Sequence, residues 1–391
     1  MIVSVSKSII YYKRNKRNKI EFNLIIYLKL EMGIKNLNNL LRKKCPHVFV
    51  ETHLSEYAFK KLAIDVSLFM CKFKAICGDR WLTSFVNLVQ CLRRNEIHCV
   101  FIYDNGAPNE KSAEREERVK QREKTEQKVI ELDMALDKYY LTGEIEPILM
   151  DLHDKIEKQS VPVQRLLSKA IQPPKFDIKS VKEKIDKMKN YNIKITPEDF
   201  QKTRDLFDIL QTPYYIAPLE AECMCADLCK RGIVDGVLSE DTDVLAYGSP
   251  IFLTKIDVKN DTCVLIKYED VLESLKLTKE QFLDLCIMCG CDYNKNIPKI
   301  GGEKSFNYIS KYKSIEEIER NMNIDVSILN HERTRELFTN YERHEVKKVM
   351  YCGSPDFEKV KEFMKNNDIN IDLEKLKSSF IHDELIFVDD E

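Results

Sequence analysis

The 391-residue sequence predicts an α/β fold in which a mostly parallel, twisted sheet carries helices on both faces. Two observations lead to this prediction. First, short apolar runs typical of buried strands alternate with runs of helical spacing, the order that produces parallel sheets. Second, two of the strand-like runs end in an aspartate, Asp65 and Asp104. Functional groups in open α/β sheets gather outside the carboxyl ends of the strands, so we expect a site there.

The predicted elements begin at residue 33, where apolar residues take up helical spacing. The predicted helices around the sheet are 33–43, 81–92, 217–231, 279–290 and 303–313. The predicted strands are 61–65, 98–104, 234–238, 251–256 and 263–266. From residue 111 to about residue 200 the sequence is polar and helical, with prolines that interrupt it. Gly232 is a stop signal directly after the helix at 217–231.

Charge and composition restrict the classes of function. The sequence has 62 Lys and Arg against 64 Asp and Glu, a formal net charge of −2. This balance argues against a diffusely basic nucleic-acid binder, although a local basic stripe would not show in the sum. No apolar run approaches the roughly 18 residues that a membrane-spanning helix needs, so membrane insertion is excluded. The 13 cysteines indicate an intracellular, reducing compartment, because a chain this long does not need disulfides.

Two groups of cysteines invite a zinc interpretation. Each group lies in a helix-like apolar run without a nearby histidine, and neither has the paired CxxC spacing of a zinc site. We therefore predict buried free thiols, the usual state of cysteine in an apolar run. The six residues concerned are Cys223, Cys225, Cys229, Cys286, Cys289 and Cys291.

Residues 1–31 differ from the rest of the sequence. They hold seven basic residues against two acidic ones, and the amphipathic pattern begins only at Met32. We interpret them as an extension that is disordered or not translated. The alternative is a targeting signal in the basic run at 13–19, because short basic runs serve as nuclear signals or presequences.

Seven carboxylates follow predicted strands or open predicted helices. Taken singly, each could be a helix cap or could complement a helix dipole. Together at one edge of the sheet they would repel one another unless cations lay among them. Oxygen ligands without paired Cys or His favour Mg²⁺ or Mn²⁺ over zinc. The seven are Asp65, Asp104, Glu220, Glu222, Asp241, Asp243 and Asp292.

Two basic segments are candidates for binding phosphate. One is a charged run whose basic residues recur at i, i+4, i+7 and i+11, which predicts one helix face. It is either a solvated helix linked by Glu–Arg pairs or a basic stripe beside the acids. These residues are Lys111, Arg115, Arg118 and Arg122.

The other basic segment is the loop 294–302. Its Gly301 and Gly302 allow close backbone approach at a helix start, although a plain helix–helix turn explains the glycines equally well. Lys299 and Lys304 favour phosphate.

Seven sequence blocks resemble the flap endonuclease and XPG family of structure-specific 5′ nucleases. They are 32–37 (MGIKNL), 62–66 (LAIDV), 101–104 (FIYD), 220–222 (EAE), 239–243 (SEDTD), 289–293 (CGCDY) and 300–302 (IGG). The resemblance covers residues 32–315 with all blocks in order. It implies a PIN-like nuclease core with a helical arch and a helix-two-turn-helix region. The implied segments are the extension 1–31, an N-terminal nuclease region 32–118, an arch 119–213, an internal nuclease region 214–300, and the helix-two-turn-helix continuation with C-terminal helices 301–391.

The resemblance also implies two-metal hydrolysis of branched or flapped DNA. Two Mg²⁺ ions, replaceable by Mn²⁺, would be held in two groups, the first being Asp65, Asp104, Glu220 and Glu222 and the second Asp241, Asp243 and Asp292. Lys111 and Arg118 match the catalytic basic pair of the family. Gly33 matches the residue that begins the mature family chain, and we expect it to contact DNA. Gly301 and Gly302 match the hairpin that grips duplex DNA, often with a bound K⁺.

Departures from the family pattern affect the choice of subfamily. Flap enzymes carry a tyrosine six residues after the first aspartate, and Cys71 stands there instead, as in the junction-resolving branch. The Gly-Ile-Gly of the hairpin is Lys299-Ile300-Gly301, and no sliding-clamp motif appears near the C-terminus. The leading hypothesis is a Mg²⁺-dependent 5′ flap endonuclease with 5′ to 3′ exonuclease activity. The alternatives are a four-way junction resolvase and a nuclease-dead DNA-binding scaffold.

The family resemblance carries two further expectations. We expect a monomer, or a dimer on junctions if the protein is a resolvase. We expect it to work in the nucleus or at another site of DNA replication, which would be cytoplasmic for a viral protein.

Overall fold

The structure, a computed structural model, describes residues 33–160, 176–192 and 194–380. The predictions for residues 1–31 lie outside these residues, as does the C-terminal end after Phe380. The chain divides into two compact units: residues 1–112 together with 196–391 form the first, and residues 113–195 form the second. Among the described helices, none combines the length and apolar character needed to cross a membrane.

In its described residues, the first unit is built on one sheet of seven strands. They are β1 (Val50–His53), β2 (Lys61–Asp65), β3 (His98–Tyr103), β4 (Tyr214–Ile216), β5 (Gly236–Leu238), β6 (Ile251–Asp257) and β7 (Thr262–Lys267). Their order in the sheet is β1-β7-β6-β5-β2-β3-β4. The neighbouring strands β6, β5, β2, β3 and β4 run parallel to one another. At one edge of the sheet, β7 pairs antiparallel with both β6 and β1. The predicted mostly parallel sheet is confirmed.

Helices make up most of the remaining described chain. In chain order they are α1 (Leu37–Lys44), α2 (Val66–Cys77), α3 (Trp81–Arg94), α4 (Ser112–Thr142), α5 (Pro147–Ser160), α6 (Ile178–Tyr191), α7 (Pro197–Ile209), α8 (Ala221–Lys230), α9 (Asp243–Ala246), α10 (Tyr268–Leu275), α11 (Lys279–Cys289), α12 (Gly302–Tyr312), α13 (Ile315–Met322), α14 (His331–Thr339), α15 (Phe357–Asn366) and α16 (Leu373–Ser378). The second unit contains α5, α6 and all but the first residue of α4. Its helices share a small buried core that includes Leu132, Leu149 and Val181.

The observed elements differ from the predicted ones in specific places. Strands β1 and β4 were not predicted, because β4 has three residues without a buried one and β1 buries only Thr52. Helix α8 begins at Ala221 rather than at 217, since Glu220 still has extended backbone. Gly232 does follow the helix, with a φ of +68° that favours glycine.

The segment boundaries that the resemblance implies stay predictions. The second compact unit, 113–195, overlaps most of the implied arch segment, 119–213. In its described residues this unit is helical. The six cysteines considered for zinc are all buried, and all 13 cysteines of the chain are free thiols.

Candidate active site

Three neighbouring parallel strands, β3, β2 and β5, bring acidic residues to one edge of the sheet. Asp65 is the last residue of β2 and also the N-cap of α2, because its Oδ1 accepts the N–H of Leu68 at 3.1 Å. Its side chain is buried. The helix-cap and active-site interpretations therefore describe the same carboxylate.

The half-buried Asp104 links the end of β3 to the start of α8. Its Oδ1 accepts the N–H of Ala221 at 2.8 Å. Glu220 and Glu222, which lie beside Ala221, are thereby held next to the end of β3, and both are buried. Glu220 occupies the N-cap position without capping the helix through its side chain, so its carboxylate is available for other partners.

The loop after β5 presents Asp241 and Asp243. The N–H of Asp243 donates to Oδ1 of Asp241 at 2.7 Å, and the N–H of Asp241 donates to Oγ of Ser239 at 3.1 Å. Asp243 is 1% exposed, and within the described part of the chain both of its carboxylate oxygens lack a hydrogen-bond partner. Buried oxygens of this kind are costly unless a ligand satisfies them.

Burial and mutual repulsion raise the pKa of several of these acids. Burial, with the charges of Asp104 and Asp241, raises the pKa of Asp65 well above its usual value. Burial also raises the pKa of Asp243, where Asp241 and Asp292 add to the effect. The pKa of Glu222 rises through burial as well, against the opposing charge of Lys111. The structure therefore brings all seven predicted acids into one electrostatic group.

Lys111 supplies positive charge inside this group. Its side chain is 12% exposed and forms ion pairs with Glu220, with Glu222 at 3.6 Å and with Asp292 at 3.0 Å. Burial lowers the pKa of this ammonium, but the three carboxylates outweigh it and the net pKa is raised. The neighbouring Glu110 accepts a hydrogen bond from Arg333 in α14 at 2.7 Å, which ties the same turn to that helix.

Comparisons with known proteins show the family of the chain. A sequence model of the XPG N-terminal domain matches residues 32–125, and one of the XPG I-region matches residues 211–292. A probable RAD2-like endonuclease of Invertebrate iridescent virus 6 is 33% identical over an alignment of 390 residues, covering 89% of this chain and 92% of the relative. The chain belongs to the XPG family of structure-specific nucleases.

Further relatives of this XPG-family nuclease include the Flap endonuclease 1 of Enterocytozoon bieneusi. It is 32% identical over 304 residues, with 73% of this chain and 72% of the relative covered. Among solved structures, the catalytic core of Rad2 in complex with DNA substrate has a TM-score of 0.60 at 17% identity. That match covers 90% of this chain and 99% of the Rad2 chain, and it supports the PIN-like nuclease fold. As a nuclease, the chain is a hydrolase of phosphodiester bonds, so the scaffold alternative is not supported.

The predicted basic helix face is wrong for one of its four residues. Lys111 lies in a short 3₁₀ turn, Asn109–Lys111, before α4 begins at Ser112, and its side chain is buried among the acids. Arg115, Arg118 and Arg122 lie on α4 in the second unit. Arg118 is 56% exposed and forms an ion pair with Glu114, one turn away. This local pairing is the one that a solvated helix would make.

Two contacts that support the acids were missed by sequence reasoning. The hydroxyl of Tyr293 donates to Glu220 and lies 2.6 Å from the hydroxyl of Tyr247. Lys72 forms a buried ion pair with Glu240, which directly precedes Asp241. The only available signals were that Tyr293 follows Asp292 and that Lys72 lies two helical turns after Asp65, and neither signal is specific.

Gly33 lies against the second group of acids. A Cβ atom at this position would come within 2.8 Å of both the backbone nitrogen and Oδ1 of Asp243, and the φ of +78° also favours glycine. A role for Gly33 in binding DNA stays a prediction. Gly33, the first residue that the structure describes, thus lies directly beside Asp241 and Asp243.

The predicted hairpin, residues 294–302, joins α11 to α12. Lys299 has a φ of +65°, a left-handed conformation that glycine adopts more easily. Gly301 has extended backbone, and a Cβ atom at this position would meet no described residue within 4 Å, whereas Gly302 is buried against Asn36 and Cys289. The ammonium of Lys304 donates to the carbonyl of Lys299 at 3.1 Å.

The acids fit a hard divalent cation by their chemistry. Among the described residues, no three Asp, Glu, His or Cys side chains are arranged so that they could hold a metal ion as they stand. The seven candidates nevertheless offer only oxygen ligands, and two buried oxygens of Asp243 have no donor there. Their assignment as metal ligands stays a prediction.

Proposed function

We propose that this nuclease is a Mg²⁺-dependent endonuclease that cuts 5′ flaps in DNA and has 5′ to 3′ exonuclease activity, in replication and repair. The observation that carries the proposal is Asp243, whose buried carboxylate lies among other acids without a hydrogen-bond donor in the described chain. The relative named Flap endonuclease 1 supports the choice of flaps. The relative from an iridescent virus, named as a probable RAD2-like endonuclease, supports an endonuclease.

Two groups of residues would hold the ions. Asp65, Asp104, Glu220 and Glu222 would hold one, and Asp241, Asp243 and Asp292 would hold or orient the other. When bound, two Mg²⁺ ions supply a nucleophile from water at neutral pH and stabilise charge on the phosphate; Mn²⁺ would serve the same purpose.

The protein's own groups then position the reaction. The bond from Ala221 to Asp104 fixes the start of α8, and the hydroxyl of Tyr293 fixes one oxygen of Glu220. Lys111 contacts Glu220, Glu222 and Asp292, so its ammonium would give up these carboxylates to a cation and turn to the scissile phosphate. A fixed positive charge there stabilises the negative charge that develops during attack.

Arg118 would be the second positive group, as the family resemblance implies. Its exposed ion pair with Glu114 has to open first, which costs only about 0.5 kcal/mol for an exposed helical pair. Arg115 and Arg122 would contact the phosphate backbone. The substrate's terminal bases would unpair to bring the target phosphate to buried acids, at a cost of a few kcal/mol.

The test is cleavage of an end-labelled 5′ flap in Mg²⁺. The unmodified protein should release the flap, whereas Asp243→Asn should not. Asp356→Asn is the matched control, because Asp356 is an exposed helix N-cap and asparagine caps a helix equally well. If Asp243→Asn cleaves at the unmodified rate, the assignment of the acids is wrong.

Cys71 favours one second candidate, a four-way junction resolvase. It lies half-buried on α2 at the place where flap enzymes carry a tyrosine. A resolvase would act as a dimer and place paired symmetric nicks on a mobile four-way junction. Flap cleavage by a monomer without such nicks would exclude this candidate.

A further inference from the structure

The turn that carries Lys111 lies against a pocket on one side. Residues 107–110 line this pocket together with residues of α14, among them Arg333 and Leu337, and its volume is about 380 Å³. Atoms that border such a space lack the close-packed neighbours that fix side chains and backbone in a protein interior. Contacts other than packing therefore have to hold this side of the turn in place.

An ion pair joins the turn to α14. Nε of Arg333 donates to Oε1 of Glu110 at 2.7 Å, and Glu110 directly precedes Lys111 in the chain. Nη1 of the same guanidinium donates to Oε2 of Glu336, one turn further along α14, at 2.9 Å. Because the guanidinium is planar and its donors are fixed relative to one another, two carboxylates set its orientation.

Helix α14 is itself packed against the residues that support the acids. Its buried Phe338 contacts the ring of Tyr293, with 5.2 Å between the ring centroids. The hydroxyl of Tyr293 donates to Glu220. The same helix therefore supports Glu220 through Tyr293 and the turn before α4 through Glu110.

The contact with α14 matters most when Lys111 changes partners. In the proposed reaction its ammonium leaves the three carboxylates that it contacts in the structure and turns to the scissile phosphate. Those ion pairs then no longer hold the turn, whereas the bond between Arg333 and Glu110 involves neither Lys111 nor the acids. A reacting group that is displaced by about 1 Å can lose roughly 10²-fold in rate, so the position of the turn should affect catalysis.

We propose that Arg333 is a positioning residue for the hydrolysis, because through Glu110 it fixes the turn Asn109–Lys111 and so directs the ammonium of Lys111 to the scissile phosphate. The inference rests on the proposed function, since it takes flap cleavage as the reaction. Arg333 does not contact the reacting atoms in this role. Its effect passes through Glu110 and Lys111.

The first measurement needs neither DNA nor metal. Hydrogen exchange of the backbone N–H of Lys111, which donates to the carbonyl of Pro108 at 3.1 Å, reports how firmly the turn is held. Arg333→Met should speed this exchange by at least about twofold, as expected for the loss of an exposed ion pair. Arg320→Met is the matched control, because it removes an exposed ion pair on α13 and should leave the exchange unchanged. Equal exchange in Arg333→Met and the unmodified protein would overturn the proposal, whether or not the protein cuts flaps.

The second measurement is the steady-state rate of 5′ flap cleavage in Mg²⁺. Arg333→Met should lower kcat roughly tenfold and leave KM within about twofold, because the ammonium is misplaced while the contacts with DNA remain. Glu110→Gln breaks the same bond from the other side and should have the same effect. Arg333→Lys keeps a cation near Glu110 and should restore most of the rate. A rise in KM at unchanged kcat would show instead that Arg333 binds DNA, and would overturn the proposal.

The last comparison is made in the Lys111→Met variant. With no ammonium left to position, the addition of Arg333→Met should lower kcat by less than about twofold. A further tenfold loss would show that Arg333 acts independently of Lys111, and would also overturn the proposal. Absence of flap cleavage by the unmodified protein contradicts the proposed function instead, and hydrogen exchange of the turn then decides whether Arg333 holds it.

Discussion

Nζ of Lys111 lies 3.0 Å from Oδ2 of Asp292. The same ammonium contacts Glu220 and Glu222, so one lysine joins three parts of the chain that are distant in sequence: the turn before α4, the start of α8 and the residues after α11. It acts as the counterion of the acidic group. If the acids hold divalent cations as proposed, stability and metal binding should both respond to this side chain.

Lys111→Met should destabilise the metal-free protein while tightening its hold on Mg²⁺. Removal of the ammonium leaves three carboxylates uncompensated, at a cost of about 3 kcal/mol for a broken buried pair. Flap cleavage should fall by roughly 10²-fold or more, because charge on the phosphate is no longer offset. Thermal unfolding in EDTA and in Mg²⁺ measures both effects, and Lys111→Arg should restore most of the stability. Equal unfolding temperatures for Lys111→Met and the unmodified protein in EDTA would contradict the counterion role.

Asp243→Asn should stabilise the metal-free protein and abolish cleavage. The amide removes a buried charge that faces Asp241 and Asp292, and it can donate to them, which together should contribute about 1–3 kcal/mol. Chemical unfolding in EDTA measures this gain. Asp356→Asn should leave both stability and cleavage unchanged. A loss of stability in Asp243→Asn would mean that its carboxylate has a partner in the protein.

The effects of substitutions at Lys72 and Glu240 on the free energy of unfolding should be coupled. Both side chains are 8% exposed, and Glu240 precedes Asp241, so the pair holds the loop after β5 in place. Lys72→Met should cost about 3 kcal/mol, since it leaves a buried carboxylate without this cation. The double variant Lys72→Met/Glu240→Met should cost clearly less than the sum of the two single changes. Additive losses in urea unfolding would show that the pair is not a unit.

The contact between Glu316 and Arg335 should give a defined pH dependence. The hydrogen bond from Arg335, which also binds Asp284 at 2.7 Å, lowers the pKa of Glu316 from 4.5 to about 2. A lowered pKa means that the ionised form stabilises the fold, so this stability is complete above pH 4.5 and is lost as the pH falls to about 2.

Glu316→Gln should therefore lower the free energy of unfolding by about 1 kcal/mol at neutral pH, a figure that allows for solvent screening of a partly exposed carboxylate. The difference from the unmodified protein should shrink as the pH drops through this range. Urea unfolding at several pH values measures it. Glu319→Gln, at an exposed position of the same helix, is the control. A difference that does not change with pH would rule out the ion pair as its source.

Protein that begins at Met32 should cut flaps at least as fast as the full chain. Gly33, to which the 32 preceding residues are joined, lies beside Asp241 and Asp243, so we expect their removal to leave the acids at least as accessible to substrate. Initial rates of flap cleavage for the two proteins provide the comparison. Faster cleavage by the full chain would show that the segment contributes to substrate binding.

The positions of the acids could be predicted because they depend on local patterns. A buried apolar run that ends in Asp65 predicts the strand. Because the strands are parallel, it also predicts that the aspartate lies at the edge of the sheet where the strands end. Strand β4 gave no such pattern, since none of its three residues is buried and it is held by pairing with β3.

The partners of the acids could not be predicted in the same way. Helical spacing predicted that Lys111 shares a helix face with Arg115, Arg118 and Arg122. The 3₁₀ turn before α4 instead directs the side chain of Lys111 to carboxylates more than 100 residues away in the sequence. Lys72 and Glu240 are 168 positions apart, so no local spacing connects them. Long-range ion pairs depend on tertiary packing, which a single sequence does not encode as a pattern.

The hydrogen bond from Ala221 to Asp104 spans 117 positions of sequence, and the whole second unit lies between its two ends. This hydrogen bond joins two parts of the acidic edge within the first unit. The cost of closing a long loop grows only slowly with its length, by about 0.6 kcal/mol per doubling. Residues 113–195 can therefore change in length or be exchanged at little cost to the contact that closes the acidic edge.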